Sequence, residues 1–293
     1  METSSKAREF LLRALIAPGA RLTPDDAAWL RGQCDALAAG APERALHLAF
    51  GQANRKLGAA ARASFAATAA EQAQAFAIHP GWDLREWNLE QAARAALLLS
   101  LPASPAAVKA ALALFQTADL GENVALVRAL FLLPDARALL HVGREAIRSN
   151  MGDVFRAITQ RNPYAAEHFD EIAWNQMIVK CLFVDLPLAP VHGLDARVNA
   201  ELARMITGLA RERWAAARDI SPEAWRCVAP FSLQGGETAA VMADAFARGD
   251  SHRRAAALSL WNLPRGAGHR VVSEAAPELI PALESGALTW ETP

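Results

Sequence analysis

The chain has 293 residues, a formal charge of −1 and 53% apolar residues, enough for one large domain or two modest ones. Alanine supplies 67 of the apolar positions; without it the share falls to about 30%, so small helix-forming side chains dominate. The near-neutral balance excludes a general electrostatic footprint for nucleic acid or an anionic membrane.

At the N-terminus, Lys6 and Arg8 precede the short apolar run Phe10-Leu11-Leu12, which Arg13 interrupts. A secretory signal needs a longer uncharged stretch, so none is predicted. The longest uncharged apolar run, Ala95 to Leu101, stops at Pro102, well short of the roughly 18 residues of a membrane span. Cys34, Cys181 and Cys227 form no CxxC pair, and an odd count of scattered thiols predicts buried free cysteines in a reducing compartment. The chain thus reads as a soluble, cytoplasmic protein and not an integral membrane protein.

Helical periodicity runs from end to end. Thr23 is placed to cap a helix over 24–39, with Pro24 in its first position and Asp25-Asp26 in its first turn, all suited to the positive end of the helix dipole. Trp29, Leu30, Cys34 and Leu37 form its apolar stripe. A helix ends at Leu101-Pro102 and another starts at Ser104-Pro105, with Val108, Leu112 and Phe115 facing inward. Gly121-Glu122 opens a helix that Pro134 stops, and Asp135 is expected to cap the next, to about Ser149. Near the C-terminus, 237–248 and 251–261 read as helices separated by Gly249-Asp250, with a last helix near 277–284 and a frayed end over 286–293. No alternating β-branched run is long enough to predict a sheet.

The predicted fold is therefore all-α: an irregular right-handed array of packed helix pairs, HEAT-like in parts. The Arg253-Arg254-Ala255-Ala256-Ala257-Leu258 segment resembles the inner helix of a HEAT-type repeat, although no strict period runs through the chain. The organisation expected is an N-terminal helical region (1–103), a central region (104–236) and C-terminal HEAT-like helices (237–293), within one continuous domain.

From Asn150 to Phe183 alanine thins out and directional polar side chains gather. Local readings account for several. Asn150 with Asp153 suits a cap for a short helix through Gln160, Asn162-Pro163 suits another, and Asp170 and Glu171 suit the start of a third. If one helix ran from Pro163 through Phe183, His168, Glu171 and Asn175 would share a face, an arrangement open to acid-base chemistry or to an ordinary hydrogen-bonded histidine. No second His-x-x-Glu pair completes a di-metal site, and neither metal nor cofactor is predicted. Lys180 lies between Met177-Ile178-Val179 and Cys181-Leu182-Phe183; burial would lower its pKa toward nucleophilic use, while snorkelling or pairing with Asp153 is the ordinary alternative. Further along, Arg204, Arg211 and Arg218 recur every seven residues beside Arg213-Trp214. They suit either a phosphate clamp or a solvated face neutralised by Glu201, Glu212 and Asp219. The catalytic candidates are thus His168, Glu171, Lys180 and Asp153, and the ligand-binding candidates Asn150, Asn162, Tyr164, Trp174, Asn175, Arg204 and Arg218. No P-loop, GxGxxG, HExxH, GxSxG or DDxxD motif is present.

The runs Asn150-Met151-Gly152-Asp153-Val154-Phe155-Arg156, Asn162-Pro163-Tyr164-Ala165-Ala166-Glu167-His168-Phe169-Asp170-Glu171, Trp174-Asn175-Gln176-Met177 and Lys180-Cys181-Leu182-Phe183 resemble the EboA family. The likeness continues through Gly193-Leu194-Asp195, Glu201 to Met205, Glu212-Arg213-Trp214-Ala215 and Pro222 to Arg226. One departure is Arg211, where the family pattern has a histidine. The resemblance implies a place in bacterial secondary-metabolite gene clusters, beside a membrane prenyltransferase, a sugar-phosphate cyclase, a metal-dependent hydrolase and a TIM-barrel isomerase-like protein. It assigns no reaction or catalytic residue. Two readings follow: a helical adaptor or small-molecule carrier serving biosynthesis and export of a prenylated product, with the other cluster proteins as partners; or an enzyme acting on a small or prenylated substrate through a pocket built from residues 150–183.

Overall fold

A computed structural model describes residues 2–17, 19, 21–102 and 105–290. Among the described residues there are eighteen α-helices, linked in places by 3-10 turns, and no strand; one isolated bridge pairs Ser64 with Asn88. The fold is all-α, as expected. The chain divides into two compact units, Met1–Phe169 and Asp170–Pro293.

The first unit holds α1 (Glu2–Ile16), α2 (Pro24–Ala38), α3 (Glu43–Leu57), α4 (Ala69–Ile78), α5 (Leu89–Leu99), α6 (Pro105–Thr117), α7 (Leu120–Ala129), α8 (Leu140–Arg148), α9 (Gly152–Thr159) and α10 (Tyr164–His168). Its centre is α5, buried along nearly its whole length and packed on by α1, α2, α3 and α7. Ala92, Ala93, Ala95 and Ala96 are fully buried; so many small side chains let helices approach on several sides of the same element. One end of this core is aromatic: Trp82 meets Phe10 edge-on at 5.3 Å and lies 6.0 Å from Trp87.

Helix starts follow local chemistry. Thr23 Oγ1 accepts the Asp26 N–H, as the sequence indicates. Thr68 with Glu71, Asn88 with Gln91 and Asp119 with Glu122 form reciprocal capping boxes. Two expected caps are absent. Asp135 adopts a left-handed backbone, φ 54°, with no capping bond, and a 3-10 turn (Ala136–Leu139) precedes α8. Asn150 is exposed and Met151 takes the position before α9 without a side-chain bond. Ser104 lies outside the described residues.

The second unit holds α11 (Glu171–Phe183), α12 (Leu194–Arg197), α13 (Ala200–Ala215), α14 (Trp225–Ser232), α15 (Gly236–Ala247), α16 (Asp250–Trp261), α17 (His269–Ala275) and α18 (Ile280–Glu284). Here α13, α15 and α16 pack around α14, which buries Trp225, Cys227, Val228 and Ala229 completely. Gly249, φ 145°, makes the turn between α15 and α16 that the Gly-Asp pair predicted. The expected fraying over 286–293 is overturned in part: Leu288 is buried and Arg226 lies 5.5 Å over the Trp290 ring, while 291–293 are outside the described residues. All three cysteines are free and buried. Burial pushes the Cys34 thiol up to about 11 and Cys227 to about 12, so neither carries thiolate at neutral pH.

Two contacts in the first unit make testable statements. Gly143 of α8 faces α10 so closely that a Cβ there would lie 2.6 Å from Tyr164 Cε1 and 3.1 Å from Phe169 Cε1. Gly143→Ala is expected to cost about 1–3 kcal/mol through overpacking, measured by urea denaturation. Arg21 donates from Nη1 and Nη2 to the two Glu71 oxygens, each at 2.8 Å, and from Nε to the Phe65 carbonyl. The Arg21 bonds, with those from Thr68 and against the effect of burial, hold the Glu71 carboxyl at about 2 instead of 4.5. A depressed carboxyl stabilises fully above its unfolded value, so this contribution is lost as pH falls from 4.5 through about 2. Glu71→Gln should flatten that part of a stability-versus-pH curve.

Candidate functional site

The 150–183 block is not one helix. Phe169 and Asp170 are extended, α10 ends at His168, and the Asp170 carboxylate accepts the Ala173 N–H to start α11. His168, Glu171 and Asn175 therefore do not share a helix face. The cause is local: a well-formed aspartate cap at Asp170 competes with a helix that would otherwise run through it.

In the first unit, Asn162 is buried and fully engaged. Its Oδ1 accepts the Tyr164 N–H at 3.0 Å, and its Nδ2 donates to the Val127 and Ala157 carbonyls. Tyr164 is buried with its hydroxyl donating to the Ala136 carbonyl at 2.9 Å. The His168 ring lies 4.7 Å from that of Tyr164, and burial lowers its pKa despite Glu167 Oε2 at 3.8 Å. Asp153 is exposed in the first turn of α9.

In the second unit, Asn175 and Asn199 exchange amide hydrogen bonds of 3.1 and 2.9 Å, and Asn199 Oδ1 caps α13 through the Leu202 N–H. Trp174 is buried beneath the Arg197 guanidinium, 4.6 Å from the ring centre. Glu171 is exposed beside the Asp170 cap, and Lys180 is half-buried, with its ammonium lowered by burial. Arg204 is held by Glu201 through two bonds of 2.8 and 2.6 Å, and Arg211 pairs with Glu237 at 3.0 Å. Arg218 lies beyond the end of α13 and is exposed. The seven-residue arginine pattern thus ends in surface pairs at two of its three positions.

The second unit also contains a hydrogen-bonded chain, running from the interior to the surface, without a sequence signature. Trp225 Nε1 donates to His252 Nδ1 at 3.0 Å, and His252 Nε2 lies 2.9 Å from Asp219 Oδ1. The indole N–H can only donate, so Nδ1 accepts and the Nε2 hydrogen points at the carboxylate. Burial works to raise the Asp219 carboxyl, but the bonds from His252, the Ile220 N–H and Trp214 outweigh it and hold it below its usual value.

The most developed concavity described is a cleft of about 910 Å³ in the first unit, built from α3, α5, α7, α9 and the 58–62 and 86–88 segments. That size lies within the range of small-molecule sites. One side is organised by Arg94, which is 1% exposed. Its Nε donates to the Phe50 carbonyl at 3.0 Å, its Nη1 pairs with Glu90, and Glu122 lies 3.8 Å from Nη2. Asn54 Nδ2 completes Glu90 at 2.8 Å. Gly51 allows the approach of Glu122, since a Cβ there would lie 3.2 Å from Glu122 Oε1.

The other side gathers arginines around Glu86. Arg128 and Arg156 each lie 3.5 Å from it, and Arg161 lies behind at 3.8 Å while bonding Asp83 at 2.8 Å. Arg161 holds a left-handed backbone, φ 53°, uncommon without glycine and stabilised here by these ion pairs. Arg55 and Arg62 are exposed on the same cleft. Of the catalytic and ligand-binding candidates named from the sequence, Asp153 alone lines it. Among the described residues no histidine, cysteine, serine or lysine lines it; its polar groups are guanidiniums, carboxylates and side-chain amides, which suit binding and orientation of a polar ligand. Among the described residues, no group of three His, Cys, Asp or Glu side chains could hold a metal ion, and no helix is long and apolar enough to cross a membrane.

An all-helical protein with a polar, arginine-lined cleft is the class these observations define. The family model described as "Metabolite traffic protein EboA" matches residues 10–229, three quarters of the chain, and the protein belongs to the EboA family. No curated protein and no solved structure matches it at a significant level.

Arg94 should be indispensable to the cleft. Arg94→Met leaves Glu90 buried without its partner and is expected to cost about 3–5 kcal/mol, whereas Arg94→Met with Glu90→Met should recover much of the loss. Urea denaturation of the two variants checks this.

Proposed function

We propose that the protein is a non-enzymatic carrier of a small polar metabolite, which it binds in the first-unit cleft. In this reading it serves a cytoplasmic step in bacterial secondary metabolism, in biosynthesis and export of a prenylated product, with the other proteins of its gene cluster as partners. A membrane prenyltransferase is the partner of first interest. The family's description as a metabolite traffic protein supports the general role. The observation that carries the reading is the cleft: ligand-sized, polar and lined by side chains that bind.

The enzyme alternative draws on Lys180, whose half-buried ammonium is lowered by burial, and on His168. It requires that one of these groups act on substrate.

Native mass spectrometry of the full chain, purified gently from a host expressing the surrounding genes, tests the carrier. A small bound mass is expected, and it should be lost from Arg156→Gln. A co-purifying cluster protein with no small ligand would replace the carrier by an adaptor. His168→Ala and Lys180→Ala should leave pathway output unchanged; loss of output by a folded variant would favour the enzyme.

A further inference from the structure

The basic side of the cleft carries more positive charge than the protein itself neutralises. On this side the lining carries four guanidiniums (Arg55, Arg62, Arg128 and Arg156) against two carboxylates, Glu86 and Asp153, while Arg161 behind it bonds Asp83 and also approaches Glu86. Glu86 is shared by Arg128, Arg156 and Arg161 at 3.5 to 3.8 Å, longer than a direct charge-assisted hydrogen bond. Arg128 is 5% exposed and its Nε has no hydrogen-bond acceptor. A buried guanidinium with an unfilled donor is costly unless something else completes it. Arg55 and Arg62 extend the basic character along the cleft, with no acidic partner among the described residues.

We infer that this side of the cleft binds the phosphate or diphosphate group of a small soluble metabolite, with Arg128 and Arg156 as its principal donors. This deepens the carrier reading and rests on it. The chemistry is specific in kind: several planar forks converging on one place match the multiple oxygens of a phosphoryl group better than a single carboxylate. Glu86 acts as the internal counter-anion that keeps Arg128 and Arg156 in place before ligand arrives. Asp153, exposed on the same cleft, opposes an anion and sets an upper limit on affinity. Glu90 and Asp119 are committed elsewhere, to Arg94 and to the cap of α7, and leave the basic side uncompensated.

The test is calorimetric titration of the full chain with inorganic diphosphate in magnesium-free buffer, with sulfate as the control anion. Saturable diphosphate binding is expected, falling about ten-fold in Arg156→Gln, the scale of one lost charge-assisted bond. Glu86→Gln should bind diphosphate more tightly than the parent. Without ligand that variant should melt at lower temperature, and diphosphate should restore it by linkage. Arg156 is half-exposed, so its variant is expected to fold and keeps the test decisive. Absence of saturable binding, or affinity indifferent to Arg156→Gln, would overturn the inference. Equal affinity for sulfate would identify an adventitious ion only and also overturn it. Sedimentation with phosphatidic-acid vesicles separates the source of the phosphate: Arg156-dependent co-sedimentation would assign a lipid headgroup and sink the soluble ligand. A co-purified metabolite without phosphorus, lost from Arg156→Gln, would sink the phosphate assignment while the carrier stood. Diphosphate binding by a chain that co-purifies with a partner and no metabolite would sink the carrier alone.

Discussion

A charged side chain in the middle of an apolar helix bundle sets the terms for the first unit. Arg94 sits on α5, the element that four other helices bury, and its guanidinium must find acceptors there. It meets one acceptor and two opposite charges on three helices: the Phe50 carbonyl of α3, and the carboxylates of Glu90 on α5 and Glu122 on α7. The solution is geometrically demanding, because a buried ion pair stabilises only when its remaining donors and acceptors are also satisfied. Asn54 on α3, the glycine at 51 and the Asp119–Glu122 capping box all serve that requirement. The cleft is what remains where α3, α5 and α7 are held together by polar bonds beside their apolar contacts.

The second unit solves a similar problem differently. His252 is 2% exposed and is satisfied at both nitrogens, by Trp225 on one side and Asp219 on the other. Asp219 itself remains largely in solvent and also accepts from Trp214 and the Ile220 N–H. The carboxylate therefore stays at the water boundary while the imidazole goes inside.

Much of the helical layout was legible because its signals are local. Thr23, Pro24 and the Gly249-Asp250 pair each act within a few residues of themselves, and the structure uses them as the sequence indicates. The 150–183 block was misread at its centre for a related reason. Phe169 and Asp170 interrupt a pattern whose flanks are both helical, and an apolar stripe does not reveal that Asp170 caps instead of continuing. The cleft was mostly illegible, since Glu86, Arg128 and Arg156 come from segments far apart in sequence. One trace was available: Glu90 and Arg94, four apart, interrupt the otherwise apolar and alanine-rich run that becomes α5. A charged pair in such a run has either to face water or to find partners inside, and here it does the latter.

Tyr164 is the chain's single tyrosine, and its ring fills the space that Gly143 leaves open. Its hydroxyl donates to a carbonyl and burial raises its pKa well above the ordinary phenol value. The folded chain therefore has no phenol able to ionise in mild alkali, and the phenolate absorbance band belongs to one residue. When that band develops on an alkaline scale it reports solvent reaching Tyr164, which gives the seam between α8 and α10 an optical reading of its own among eight tryptophans.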